Sequence, residues 1–269
     1  MKKALITLGR HPGAAPGRGL ATRRFPSRIR ASRRPKKYRK LARCGSMGYF
    51  SAMKTVTEIL TEQGLADRFI RVSRLEQLLG GSAKRRYGLV NRALKSGELV
   101  RLQRGLYLLA DRYRTRPCHS FAVAQALAHG SYISFETALA YHGWIPERVF
   151  VTASVVPGRK SRRYENEKMG AYSFHPLALQ PGYFLELVKR VTVDGHMVLV
   201  AEPCRALMDI VCLRKIAWQG MDWLLQSFRI DFDVLATMTS KDIDTLELVY
   251  KHKRMKSFLA SFRRELNLD

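Results

Sequence analysis

The stretch RALKSGELVRLQRGLYL, residues 92–108, changes its hydrophobic period partway through. Before Gly97 the apolar residues fall at helical spacing. After it Leu99, Leu102, Leu106 and Leu108 fall in two short runs around a basic tip, as two strands joined by a turn would place them. Upstream, Ser82 can cap a helix running to Ser96, with Gly97 just past its end. Thr55 to Gly64 reads as an earlier helix with Val56, Ile59 and Leu60 on one face. Ser73 to Leu79 reads as a second, ended by Gly80-Gly81. Leu99–Leu102 and Leu106–Leu109 then flank Gln103-Arg104-Gly105.

Three helices and a hairpin within residues 54–110 form the pattern of a winged helix-turn-helix, a DNA-binding unit. On a helical wheel of residues 82–96, Ala83, Tyr87, Val90 and Leu94 cluster as a candidate core stripe. Arg85, Gly88, Arg92 and Ser96 lie opposite, with Lys84, Arg86 and Asn91 on the flanks. A helix inserted in a major groove needs such a face. Arginine can bond guanine O6 and N7 in a bidentate fashion, and asparagine can do the same to adenine. Gly88 lets backbone approach base edges. Lys84 and Arg86 suit phosphates, and Ser82 sits at the helix start beside them. The hairpin is then the wing, reaching the adjacent backbone or minor groove with Arg101, Gln103 and Arg104. Ser82, Lys84, Arg85, Arg86, Gly88, Asn91, Arg92, Arg101, Gln103 and Arg104 are the expected DNA contacts.

A polar, Arg-rich connection follows at 111–120. A second unit, residues 117–269, alternates helices and strands. Helices are expected at Phe121–Ala128 and at Phe135–His142 after Ser134. Strands are expected at Val149–Val156, Ala171–Phe174, Val188–Val193 and His196–Val200. Pro203 suits the first turn of a helix through Ile216. Asp242 to Leu266 reads as helical, with Leu248, Met255, Leu259 and Phe262 at helical spacing. Residues 157–163 read as a basic loop. The expected class is therefore α+β: an N-terminal winged helix-turn-helix followed by a mixed α/β domain with an enclosed sheet.

The chain of 269 residues is 46% hydrophobic with a mean hydropathy of −0.21. It can bury a core, and no apolar run approaches the roughly 18 residues of a membrane span. A soluble, cytoplasmic, nucleoid-associated protein is expected, with no membrane partner. The net charge of +26 favours a polyanion. It is uneven: residues 1–46 hold 15 of the 48 Lys and Arg and no acidic residue, leaving 33 basic against 22 acidic residues in the remainder. That segment cannot bury enough surface to offset its ordering entropy. Three readings compete for it: a disordered arm gripping phosphates, a transit-peptide-like segment, or translation from an upstream start ahead of Met47 or Met53. The last is favoured, because ordered patterning begins there. The four cysteines, Cys44, Cys118, Cys204 and Cys212, show no metal-ligand spacing, and reduced thiols are expected.

Little in the sequence carries catalytic chemistry. There is no phosphate-binding Gly-x-x-x-x-Gly-Lys, His-Glu-x-x-His or Gly-x-Ser-x-Gly. His142 and His175 read as structural. Arg205 and Asp209, four apart, can pair along a helix. Glu202, Asp209 and Lys215 could be stretched into a nuclease-like set, although one helix is a poor source of converging carboxylates. No catalytic residue, metal or cofactor is expected. The basic segments 158–163 and 251–256 could extend a DNA footprint or be solvated surface.

Four segments together resemble the AbiEi family of antitoxin-type transcriptional regulators: LKSGELVRLQRGLYLL (94–109), SYISFETALAYHGWIPE (131–147), VVPGR (155–159) and AEPCRALMDIV (201–211). The resemblance covers roughly residues 54–215. It implies an N-terminal winged helix that represses its own promoter through repeats, so that two copies sit on one operator. It further implies a C-terminal domain that counters a nucleotidyltransferase-type toxin of the AbiEii kind without a stable complex. Two rivals remain: a metal-dependent DNA nuclease targeted by the winged helix, and a non-specific RNA- or DNA-binding protein using the basic tail.

Overall fold

A computed structural model of the chain describes residues 54–267. The expectations for the basic segment 1–46, Cys44, Met47 and Met53 lie outside the described residues. The chain is α+β, with helices packed on a mixed sheet.

The first part is built by local signals. Helix α1 (Val56–Glu62) starts at Thr55, whose hydroxyl accepts from Glu58 N at 3.2 Å while Glu58 Oε2 accepts from Thr55 N at 2.7 Å. This reciprocal pair satisfies two of the donors a helix start leaves open. Strand β1 (Ile70–Arg71) runs directly into α2 (Val72–Leu79). Gly80 and Gly81, at φ 54° and 72°, then turn the chain into α3 (Ala83–Lys95), a reversal that side-chain-bearing residues resist. Past α3, Gly97 N donates to Leu94 O at 3.2 Å and Glu98 N to Ala93 O at 2.9 Å. These two bonds close the helix on a left-handed glycine. Strands β2 (Leu99–Gln103) and β3 (Leu106–Leu109) pair antiparallel, with Gln103 opposite Leu106 across Arg104-Gly105. β1 adds to the free edge of β3. Its two residues are too few to show alternation in sequence.

The buried face of α3 differs from the expected stripe. Leu89 and Ala93 are buried, with Val90 and Leu94 partly so, whereas Ala83 is exposed and Tyr87 is 72% exposed. At 100° per residue the direction centred on Leu89, Val90, Ala93 and Leu94 is rotated by about 60° from the sequence wheel. The reason is tertiary. The inner side of α3 must meet Val56 and Leu60 of α1, Leu75 and Leu79 of α2 and Leu99 of β2, and Leu89 with Ala93 reaches that cluster.

The remainder is a six-stranded sheet ordered β6-β7-β5-β4-β9-β8. Its strands are β4 (Tyr132–Ile133), β5 (Val151–Val155), β6 (Arg162–Asn166), β7 (Gly170–His175), β8 (Val188–Val193) and β9 (His196–Ala201). β5 runs parallel to β7 and β4 parallel to β9; the other neighbours are antiparallel. Helix α4 (Ser120–Leu127) packs on β9 and β5, and α5 (Phe135–Tyr141) packs on α6 (Pro203–Arg214). Arg162 and Arg163, expected in a basic loop, instead lie in edge strand β6, paired with Phe174 and Ser173.

After α6 come α7 (Met221–Phe228), α8 (Phe232–Leu235), α9 (Ser240–Val249) and α10 (Lys253–Glu265). The expected helix 242–266 is therefore broken. Tyr250 leaves α9 in an extended conformation and bridges Leu179. Gln180 N donates to Val249 O at 2.8 Å and Lys251 N to Ala178 O at 3.0 Å. Among the described residues no helix is long and apolar enough to cross a membrane.

Two apolar clusters result. One lies among α1, α2, α3 and the hairpin; the other fills the sheet and its helices. The hairpin belongs to both. Leu99 and Leu109 enter the first, while Leu106 enters the second with Leu102 packed against it.

Candidate nucleic-acid interface

Helix α3, AKRRYGLVNRALK, contains no carboxylate. Opposite its buried side lie Lys84, Gly88, Asn91 and Lys95, spaced four, three and four apart and hence on one face. Tyr87 and Arg92 flank them. The side chains of Lys84, Asn91, Arg92 and Lys95 make no hydrogen bond to a described residue. A Cβ built on Gly88 meets nothing within 4 Å, so the helix backbone is open to approach there.

The structure separates the other expected contacts by what holds them. Ser82 caps α3: its hydroxyl accepts from Arg85 N at 3.3 Å. Arg85 Nη1 donates to Leu79 O at 2.6 Å and to Gly80 O at 3.3 Å. Arg86 Nη1 donates to Gly81 O. Both guanidinium groups thus bond carbonyls at the end of α2 and in the glycine turn, which leaves fewer of their donors for a ligand. On the hairpin, Arg101 and Arg104 are exposed, but Gln103 is half-buried and its Nε2 donates to Leu127 O at 3.3 Å. Asn166 Nδ2 donates to Arg101 O at 3.3 Å. The hairpin is therefore tied to α4 and to the β6–β7 turn, and Arg104 at its tip faces solvent. Two further residues share this surface: Tyr87, which the helical wheel places in the core stripe, and Lys95. Lys95 was discoverable from its spacing to Lys84, Gly88 and Asn91.

A second polar constellation lies inside the sheet domain. Arg205 and Asp209, one turn apart on α6, are both fully buried. Arg205 Nε donates to Asp209 Oδ1 at 2.9 Å, Nη2 to Tyr132 OH at 2.7 Å and Nη1 to Glu186 O at 2.8 Å. Asp209 Oδ1 also accepts from Tyr250 OH at 2.7 Å. Oδ2 accepts from Tyr132 OH at 2.9 Å and Ser134 OH at 2.7 Å. Burial works against the Arg205 charge, but the Asp209 carboxylate beside it holds the guanidinium protonated, its pKa raised. Burial first, and Asp209 second, push both phenols well above their ordinary value.

The expected Arg205–Asp209 pairing is thus realised, within a network that the helical spacing alone did not show. The Asp209 oxygens are fully occupied, which leaves them closed to a metal ion. Glu202 pairs with Lys189 at 2.9 Å, so the trio Glu202, Asp209 and Lys215 is not brought together as a ligand set. Among the described residues no three His, Cys, Asp or Glu side chains converge on a point where a metal could sit.

Burial raises the thiols of Cys204, to about 12, and Cys212, to about 11. His119 and His175 are held below the usual imidazole value, in each case chiefly by burial. A scan against protein-family models finds no match for this chain, and a search of the curated proteins finds none.

Proposed function

We propose that residues 54–110 form a winged helix-turn-helix and that the protein is a sequence-specific DNA-binding transcriptional regulator. Helix α3 enters the major groove and the β2–β3 hairpin serves as the wing. The observation that carries this reading is the outer face of α3, where Lys84, Gly88, Asn91 and Lys95 align beside Tyr87 and Arg92 with no carboxylate on the helix and no side-chain hydrogen bond to a described residue. Asn91 is the adenine reader, and Lys84, Arg92 and Lys95 bind phosphates or guanine. Arg85 and Arg86 shape the turn that aims the helix.

The resemblance to the AbiEi family supplies the biological setting. The protein is read as the antitoxin of a toxin–antitoxin operon, repressing its own promoter and countering a nucleotidyltransferase-type toxin. Two copies would lie about 34 Å apart on successive turns of one operator face.

The test is binding of the full chain to DNA upstream of its own gene, against scrambled duplex, over a range of salt. Upstream DNA should bind at least about a thousandfold more tightly. Lys84→Ala/Asn91→Ala should remove that preference. Arg101→Ala should weaken both duplexes alike and flatten the salt slope by about one unit. Equal binding of both duplexes, unchanged in the double variant, would reject the assignment of α3.

A further inference from the structure

The connector between the hairpin and α4 forms a second basic feature, unrelated to the α3 face. A cavity of about 420 Å³ opens there, walled by Arg114, Arg116, Cys118 and Ser120 of the chain entering α4 and by Lys168 of the β6–β7 turn. The wall is fixed from behind. Asp67 accepts from Thr115 N at 2.8 Å, from Arg116 N at 3.3 Å and from the Thr115 hydroxyl. These bonds, the Thr115 hydroxyl foremost, hold the Asp67 carboxyl below its ordinary value.

Arg114 is the unusual member. Its side chain is only 5% exposed, and its Nε and Nη1 have no hydrogen-bond partner among the described residues. Among the described residues its ionic partner is Asp111, bonded through Nη2, and that carboxylate is 86% exposed at the cavity rim, while the Cys118 thiol also lies against the guanidinium. A buried guanidinium ordinarily has its donors satisfied, because open donors in a low-dielectric site are costly. Here two donors are open beneath a cavity that also presents Arg116 and Lys168. The acidic side chain closest to hand sits on the solvent side, where it can swing away.

We propose that this connector cavity is a binding site for a phosphoryl group, with Arg114 as the deep anchor and Arg116 and Lys168 as the rim. In the free protein Asp111 stands in for the incoming anion; the ligand displaces it and takes its place on the guanidinium. Such a group can come from a free phosphate monoester or from a nucleic-acid backbone. The depth of Arg114 favours a monoester, whose terminal dianion can reach below the surface. The site does not depend on the reading of α3.

The experiment is calorimetric titration of the full chain with inorganic phosphate at constant ionic strength, repeated with adenosine 5′-monophosphate and with a short duplex as competitors. Saturable binding of one phosphate is expected. Lys168→Ala and Arg116→Ala, both at exposed positions, should each weaken it about tenfold, the effect of one lost charged contact. Asp111→Ala should strengthen it, because the built-in competitor is gone. Arg114→Met should abolish it.

Displacement by the monophosphate supports the small-ligand form, and displacement by duplex alone assigns the site to DNA backbone. Heat that never saturates, or equal binding in parent, Lys168→Ala and Asp111→Ala chains, would overturn the proposal. Because Lys168 and Asp111 are exposed and predicted to act in opposite directions, misfolding of the Arg114 variant would not hide the answer.

Discussion

Replacing Asp209 by alanine separates a buried structural network from a catalytic carboxylate. In the native chain the Asp209 side chain accepts four hydrogen bonds, from Arg205 Nε, Tyr250, Tyr132 and Ser134. The substitution leaves the Arg205 guanidinium fully buried with no counter-charge. Among the described residues it also leaves the Ser134 hydroxyl without an acceptor and the Tyr250 hydroxyl with only a long 3.5 Å contact to Arg205 O. Breaking one side of a buried pair costs about 3–5 kcal/mol. A domain of ordinary stability has only about 5–15 kcal/mol in hand. Tyr250→Phe, which removes a single bond to a charged acceptor, should cost about 1.5–3 kcal/mol. Replacing both charges, Arg205→Met/Asp209→Leu, should recover most of the loss, because it removes the uncompensated charge as well as the pair. The assay is urea unfolding followed by circular dichroism, with the slope checked for two-state behaviour. If Asp209→Ala unfolds within about 1 kcal/mol of the parent, the network carries no stability and the burial argument fails. If it also loses metal-dependent DNA cleavage that the parent shows, the nuclease reading takes its place.

Other consequences follow from single features. Gly88 sits mid-helix with open space around a built Cβ, so Gly88→Ala should stabilise the fold by about 0.5–1 kcal/mol while weakening DNA binding through the methyl's intrusion into the groove contact; thermal melting and duplex titration read the two effects separately. Cys204 and Cys212 should resist a thiol reagent at pH 8 in the folded chain and react on unfolding, since burial keeps both thiols protonated; fast native labelling of either in a Cys44→Ser background would contradict their burial. His119 and His175 have folded pKa values below their unfolded value of 6.5. The unfolded chain therefore binds more protons between the two values, so stability should be full above pH 6.5 and fall as pH drops through that window. His119→Asn/His175→Asn should flatten the fall in unfolding free energy between pH 7 and pH 5.

What was legible in the sequence was local. Thr55, Ser82 and Gly97 announce helix ends because the capping bonds they make span three to five residues. The hairpin was legible because two residues join its strands. The rotation of α3 was not. Ala83, Tyr87, Val90 and Leu94 make the tighter stripe on paper, yet α1, α2 and β2 select Leu89 and Ala93. Nor was the use of Arg85 and Arg86, whose partners are backbone carbonyls five or six residues back and carry no sequence signature. The break at Tyr250 was hidden for the same reason. Helical spacing runs on either side of it, and only the distant Asp209 and the bridge to Leu179 explain why the chain leaves the helix.

The shared hairpin decides how the two parts act. A freely tethered DNA-binding unit would keep its wing clear of the second domain. Here Leu106 lies in the core of the sheet domain, Gln103 is bonded to the end of α4, and Arg101 O is bonded to Asn166. Cutting the chain after residue 110 would expose Leu102 and Leu106 and strand the Gln103 amide. Burying each leucine is worth about 1.5–3 kcal/mol, so the isolated segment 54–110 loses a substantial share of what holds its hairpin in place. On the proposed reading, the geometry of α3 and the hairpin is therefore a property of the longer chain. A change of conformation at the β6–β7 turn or at α4 has a direct mechanical route to the β2–β3 hairpin, through two hydrogen bonds and one packed leucine pair.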